Sequence, residues 1–86
     1  MQISAELALT PLQDDFEAPV KAFIKKLRSS GLTVMENPLS TQIYGDYDKI
    51  MEFLTEEVKE AFQATDHVIL TIKLVKGNRS DYAADF

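Results

Sequence analysis

The chain contains no cysteine and a single histidine, His67. Disulfides, thiol nucleophiles and cysteine-ligated metals are therefore excluded, and His67 has no second His or Cys to complete a metal set. No apolar run approaches the roughly 20 residues that a membrane-spanning helix needs. Positive charge is scarce: 9 Lys and Arg stand against 14 Asp and Glu, for a net charge of -5. The basic residues are scattered among acidic ones, so no patch offers a footprint for nucleic acid or an anionic membrane. A phosphate-cradling glycine loop, a nucleophile elbow and a nucleophile–His–Asp set are also missing. Met1-Gln2-Ile3-Ser4 leads straight into a strand with no signal-peptide pattern. The expectation is a cytoplasmic protein that is not an enzyme, has no cofactor, and takes neither nucleic acid nor membrane as partner.

What is present is an ordinary globular composition, 45% hydrophobic and 27% charged over 86 residues. That length predicts a single domain, residues 1–86, with a short tail from 77. Alternation predicts a first strand at Ile3–Thr10, with Ile3, Ala5, Leu7 and Leu9 on one side. Phe16, Val20, Phe23, Ile24 and Leu27 then fall at helical spacing, with Asp14 and Asp15 as candidate caps and Gly31 as terminator. Leu32–Glu36 and Ser40–Tyr44 read as strands separated by the Asn37-Pro38 turn, and Gly45-Asp46 stops the second of them. Ile50, Met51, Leu54, Val58, Ala61 and Phe62 mark a second helix capped by Asp46, and His67–Val75 alternates as a last strand. The order βαββαβ predicts an α+β, ferredoxin-like fold: a four-stranded antiparallel sheet in order 4-1-3-2, with two helices on one face.

The other sheet face is the interesting one. It should carry Ser4, Glu6, Ala8, Ile69, Thr71 and Tyr44, a carboxylate among small, hydroxylic and apolar neighbours. A pocket floored by Glu6 would suit a small guest with an amino donor, whereas a solvated Glu6 or a Glu6–Lys73 pair would be merely structural. Asn37-Pro38-Leu39-Ser40-Thr41-Gln42 gathers hydroxyl and amide groups at a turn, where they either orient a ligand or simply make the turn. Gly45-Asp46-Tyr47-Asp48 lacks the further oxygen ligands of a calcium loop, and a helix cap explains it. The apolar bulk of Ile69 and Tyr44 on an open face also fits burial by another copy of the chain.

Taken in order, Ser4-Ala5-Glu6-Leu7 running into Thr10-Pro11-Leu12, Gly31-Leu32, Pro38 to Asp48, and His67-Val68 resemble the thiamine/hydroxymethylpyrimidine-binding YkoF-like family. The resemblance implies a non-catalytic, self-associating protein that binds thiamine or its hydroxymethylpyrimidine moiety. Carried over by position, Ser4, Glu6 and Thr41 match the family's polar signature, with Ser40, Gln42 and Tyr44 alongside. Glu6 would accept from the pyrimidine amine, Ser4 or Thr41 would donate to a ring nitrogen, and Tyr44 and Ile69 would flank the ring. A lone carboxylate suits cationic thiamine better than a phosphorylated ligand, because no Arg or Lys cluster is evident. Two other readings stay open. One is an oligomeric assembly or regulatory module with no ligand of its own; the other is an enzyme using His67 and Glu6 as an acid/base pair.

Overall fold

The computed structural model describes residues 1–86 and contains the elements in the expected order. They are β1 (Gln2–Pro11), α1 (Glu17–Arg28), β2 (Thr33–Glu36), β3 (Thr41–Asp46), α2 (Tyr47–Ala64) and β4 (Val68–Lys76). The strands form one antiparallel sheet in the order β2-β3-β1-β4, and the fold is ferredoxin-like. Long central β1 pairs with β4 from Ile3↔Lys76 to Pro11↔Val68, but with β3 only from Gln2↔Asp46 to Leu7↔Thr41. The last four residues of β1 therefore have a neighbour on one side only.

Burial follows the alternation of β1. Ile3, Ala5 and Leu7 join Ile43, Phe23, Leu27, Ile50 and Leu54 in the core between sheet and helices. Pro19 is the third residue of α1, inside the first turn where a missing amide costs little. The helix starts at Glu17, and Phe16 occupies the N-cap without a side-chain bond, so neither Asp14 nor Asp15 caps it. At its other end Ser30 Oγ donates to Leu27 O at 2.6 Å, and Gly31 then turns the chain at φ +80°. The expected stop at Gly45 does not occur: β3 continues to Asp46, with Gly45 opposite Ile3. A Cβ at Gly45 would lie 3.0 Å from Leu32 Cδ2, so this strand position is glycine because Leu32 packs directly over it. Asp46 is the cap of α2, accepting from the Asp48 N–H at 3.2 Å. No helix is long and apolar enough to cross a membrane.

One charged contact ties α1 to the sheet, and one partly buried carboxyl on α2 works against folding. Arg28 reaches from the end of α1 to Glu36 on β2 in a two-pronged bond, Nε to Oε2 at 2.7 Å and Nη2 to Oε1 at 2.8 Å. On α2, burial first and the neighbouring Glu60 carboxylate second push the Glu57 carboxyl above its ordinary value. A raised folded-state pKa means that ionised Glu57 opposes folding above that pKa, and the penalty disappears once pH falls below the unfolded value. Glu57→Gln should therefore raise the melting temperature slightly at pH 7, by less than about 0.5 kcal/mol in stability, and not at pH about 3. Thermal melts of both proteins at the two pH values check this; an equal gain at both would refute the electrostatic origin.

Candidate functional site

Strand register decides which candidate residues meet. Ser4 lies opposite Tyr44, Glu6 opposite Gln42 and Lys73, and Thr10 opposite Ile69, so these share the face away from the helices. Thr41 lies opposite Leu7 and belongs to the helix side. Glu6 and Thr41 are thus on opposite faces of the sheet and do not flank one ring, contrary to the expectation above. The reason is the period of two: Gln42 and Tyr44 share a face, while Thr41 and Ile43 take the other.

On the open face Ser4, Glu6, Gln42 and Tyr44 line a hollow of about 160 Å³ together with Lys73, Val75 and Arg79. Ser4 is occupied there: its hydroxyl donates to Gly77 O at 2.7 Å and accepts from the Arg79 N–H at 2.9 Å. It fastens the tail and has no proton left for a guest. Tyr44 is only 9% exposed, so it is not a bare apolar surface awaiting a partner. Ile69 is 52% exposed but four positions along β4 from Lys73, roughly 13 Å from this hollow. His67 precedes β4 at the same distant end, six positions from the residue opposite Glu6, about 20 Å away. An acid/base pair of His67 and Glu6 is excluded by that separation.

Ser40 joins the two faces. Its Oγ donates to Glu6 Oε2 at 3.1 Å and accepts from Gln42 Nε2 at 2.8 Å, while the Asn37 amide donates to Gln42 Oε1. This short relay holds the exposed Glu6 carboxylate beside the start of β3.

A second concavity, about 360 Å³, opens where β1 outruns β3. Leu7 and Leu9, with Val20, Phe23 and Ile24 of α1, wall it, and the turn Asn37–Ser40 closes one side. Thr41 lies in this cleft, 6% exposed, with no hydrogen-bond partner for its hydroxyl in the chain. Every fully sealed side-chain polar atom has a partner, so the Thr41 oxygen opens onto the cleft. The backbone adds more. Leu12 N–H bonds to His67 O and Gly77 N–H to Gln2 O, so even positions of β1 and its flank face β4 and odd ones face β3. Leu9 therefore directs both N–H and C=O toward position 39, beyond the end of β3, where no backbone bond receives them. Pro11, the next odd position, lacks an N–H, as tolerated on an unpaired strand edge. Glu36 also borders the cleft, but its carboxylate is held by Arg28, whose hydrogen bond keeps it below the usual carboxylate range.

The cleft is an apolar slot with a hydroxyl and a free peptide edge, the anatomy of a site for a flat polar heterocycle. Periodicity alone did not reveal Leu9, since a backbone group leaves no mark in side-chain pattern; Pro11 was the available signal.

The fold and this cleft define a small ferredoxin-like domain with room for a small molecule. The family model described as thiamine-binding protein matches residues 5–84, and the chain belongs to that family. No curated protein matches it in sequence. Among solved structures, a Streptococcus pneumoniae protein superimposes with a TM-score of 0.84 at 29% identity, covering 91% of this chain and 89% of the other. A Thermotoga maritima protein, named for a suggested part in thiamine biosynthesis or salvage, gives 0.81 at 18% identity over 90% and 85%. A Methanocaldococcus jannascii protein gives 0.76 at 23% identity over 93% and 84%.

Proposed function

We propose that this protein binds thiamine or its hydroxymethylpyrimidine moiety, with the aminopyrimidine ring in the cleft beneath the Asn37–Ser40 turn. The observation that carries the reading is that the unpaired Leu9 N–H and C=O and the unpartnered Thr41 hydroxyl border the same cleft. An aminopyrimidine presents an amine donor beside a ring-nitrogen acceptor, the complement of one strand residue's C=O and N–H. Thr41 serves the remaining ring nitrogen or the hydroxymethyl group. Ser40 stands at the mouth with Glu6 behind it, so a thiazolium leaving the cleft meets negative charge. Hydroxyls and a peptide group recognise a ligand without converting it, so the reading is binding and not catalysis. Family membership supports the ligand class, and we place the protein in the cytoplasm.

Titration calorimetry tests both halves. Thr41→Val keeps shape and removes one hydrogen bond, so affinity for both ligands should fall about threefold to tenfold with an unchanged melting temperature. Glu6→Gln should weaken thiamine by a similar factor, about threefold to tenfold, and leave uncharged hydroxymethylpyrimidine within about twofold. Absence of heat with either ligand at high micromolar concentration would end the proposal.

A second property belongs to the reading: self-association. Beside α2, Ile72 and Leu74 of β4 are 41% and 48% exposed, and Phe62 is 50% exposed. With Met51, Leu54 and Val58 they line an open groove of about 570 Å³. It runs along β4, a nine-residue edge strand without proline. Even positions of β4 point their backbone groups outward, since the odd ones serve β1. A second copy meets those requirements: antiparallel pairing about Ile72 puts Leu70 opposite Leu74 and Lys73 opposite Thr71, with no like charges opposed. A ligand-free assembly module would rest on the same groove, and saturable thiamine binding would dismiss it.

A further inference from the structure

The chain's cations are not distributed as its acidic sequence suggests. Lys21, Lys26 and Arg28 each have a carboxylate partner, Glu17, Glu60 and Glu36 respectively. Lys73 and Arg79 have none, as is true of Lys25, Lys49, Lys59 and Lys76, but of these six only Lys73 and Arg79 line the open-face hollow. Lys73 stands directly opposite Glu6 on the neighbouring strand, yet no ion pair forms between them within 4.0 Å. Arg79 comes from the tail, which is held in place with unusual care for a terminal segment. Gly77 turns it at φ +97°, a conformation that favours glycine. Ser4 then ties Gly77 O and the Arg79 N–H to mid-sheet, Asn78 bonds Gln2, and Asn78 Oδ1 accepts from the Ser80 N–H and hydroxyl. What these bonds accomplish is to bring one guanidinium beside the hollow. They run through backbone atoms of Arg79, so its side chain is not needed for the turn.

We infer that the open-face hollow is a phosphate subsite, and that the protein takes a phosphate ester of thiamine in preference to free thiamine. The inference rests on the cleft reading above. A thiazolium beside Glu6 carries its hydroxyethyl arm onto the open face, with Lys73 directly across and Arg79 next to Ser4. Ser4 is two residues from Glu6 along β1, about 7 Å. Two cations without carboxylate partners in one hollow with Ser4 and Glu6 match the charge of a phosphate monoester, and Arg79 offers the forked donors that phosphate favours. Glu6 alone had suggested the opposite preference; strand register and the tail turn reverse it.

The experiment is calorimetry of thiamine and thiamine monophosphate against the wild type and a Lys73→Ala/Arg79→Ala double variant, at low salt. The wild type should bind the monophosphate about tenfold more tightly than thiamine. In the double variant the two ligands should agree within about twofold, thiamine itself having moved little, and added salt should shrink the wild-type difference. Equal or weaker binding of the monophosphate by the wild type overturns the subsite while leaving the cleft reading intact. So does a preference that survives in the double variant. If neither ligand binds the wild type, the cleft reading falls and takes the subsite with it. Circular dichroism of the double variant, whose altered side chains are exposed, should match the wild type.

Discussion

Ile72→Glu should yield a folded monomer under conditions in which the wild type forms the dimer proposed above. Ile72 is half-exposed in the isolated chain and lies on the helix side of β4, opposite Leu7. Replacing it removes little from the chain's own core, so the melting temperature of the monomer should change only modestly. The effect on pairing is different in kind. At the centre of an antiparallel two-fold ladder each residue meets its own copy, with Cα atoms about 5.5 Å apart in a hydrogen-bonded pair. Two carboxylates would then face each other inside the apolar seam formed by Leu70, Leu74 and Phe62, where Lys59 of α2 is the one cation lining the groove. Desolvation and repulsion together should raise the dimer dissociation constant about a thousandfold or more. Ile72→Thr is the control, since it keeps strand propensity and introduces no charge. Sedimentation equilibrium at matched concentrations gives the result directly. An Ile72→Glu variant that keeps the wild-type mass, or a wild type that is monomeric at about 100 μM, would show that β4 is not the interface.

The fold was legible because its signals reinforce one another. Alternation in β1 and β4, helical spacing through Phe23 and Leu27, and the Asp46 cap all agree, and the only consistent connection is βαββαβ. Small errors came where tertiary packing overrides a local cue. Gly45 looks like a stop but continues a strand because Leu32 covers it, and Asp14 and Asp15 look like caps although Pro19 fixes a later start. The candidate site was legible only in part. Glu6, Gln42 and Tyr44 do share a face, as alternation requires. Thr41 was assigned to the same ring as Glu6 by its place in the family's polar signature, which takes no account of neighbouring strand residues looking opposite ways. Leu9 could not be found from side chains, because what it offers is a peptide group freed by the early end of β3. Arg79 was hidden for another reason: nothing local in the tail announces that Ser4, 75 residues earlier, will capture its backbone.

The site's dependence on register makes Ile43→Ala the most informative test of the scaffold. Ile43 is fully buried, pairs with Ala5 on β1 and Val34 on β2, and sits two residues from Thr41 on the same side of β3. Trimming it removes three carbons from a closed core and leaves a cavity that the flanking central strands cannot collapse to fill. The cost should be about 3–4 kcal/mol. A domain of this size has only on the order of 4–13 kcal/mol to lose, and each kilocalorie corresponds to about 4–8 °C in Tm. The melting temperature should therefore fall by about 15–25 °C, while Ile43→Val should cost no more than about 1.5 kcal/mol. Backbone pairing on either side of position 43 does not depend on that side chain, so the register that presents Thr41 and Leu9 to the cleft should persist in the folded fraction. Thiamine affinity, corrected for the fraction unfolded, should then stay within about threefold of wild type, and saturating thiamine should recover part of the lost Tm. A large loss of intrinsic affinity at low temperature, where the variant is fully folded, would instead show that Ile43 shapes the cleft itself, and that recognition requires the core as packed and not the strand register alone.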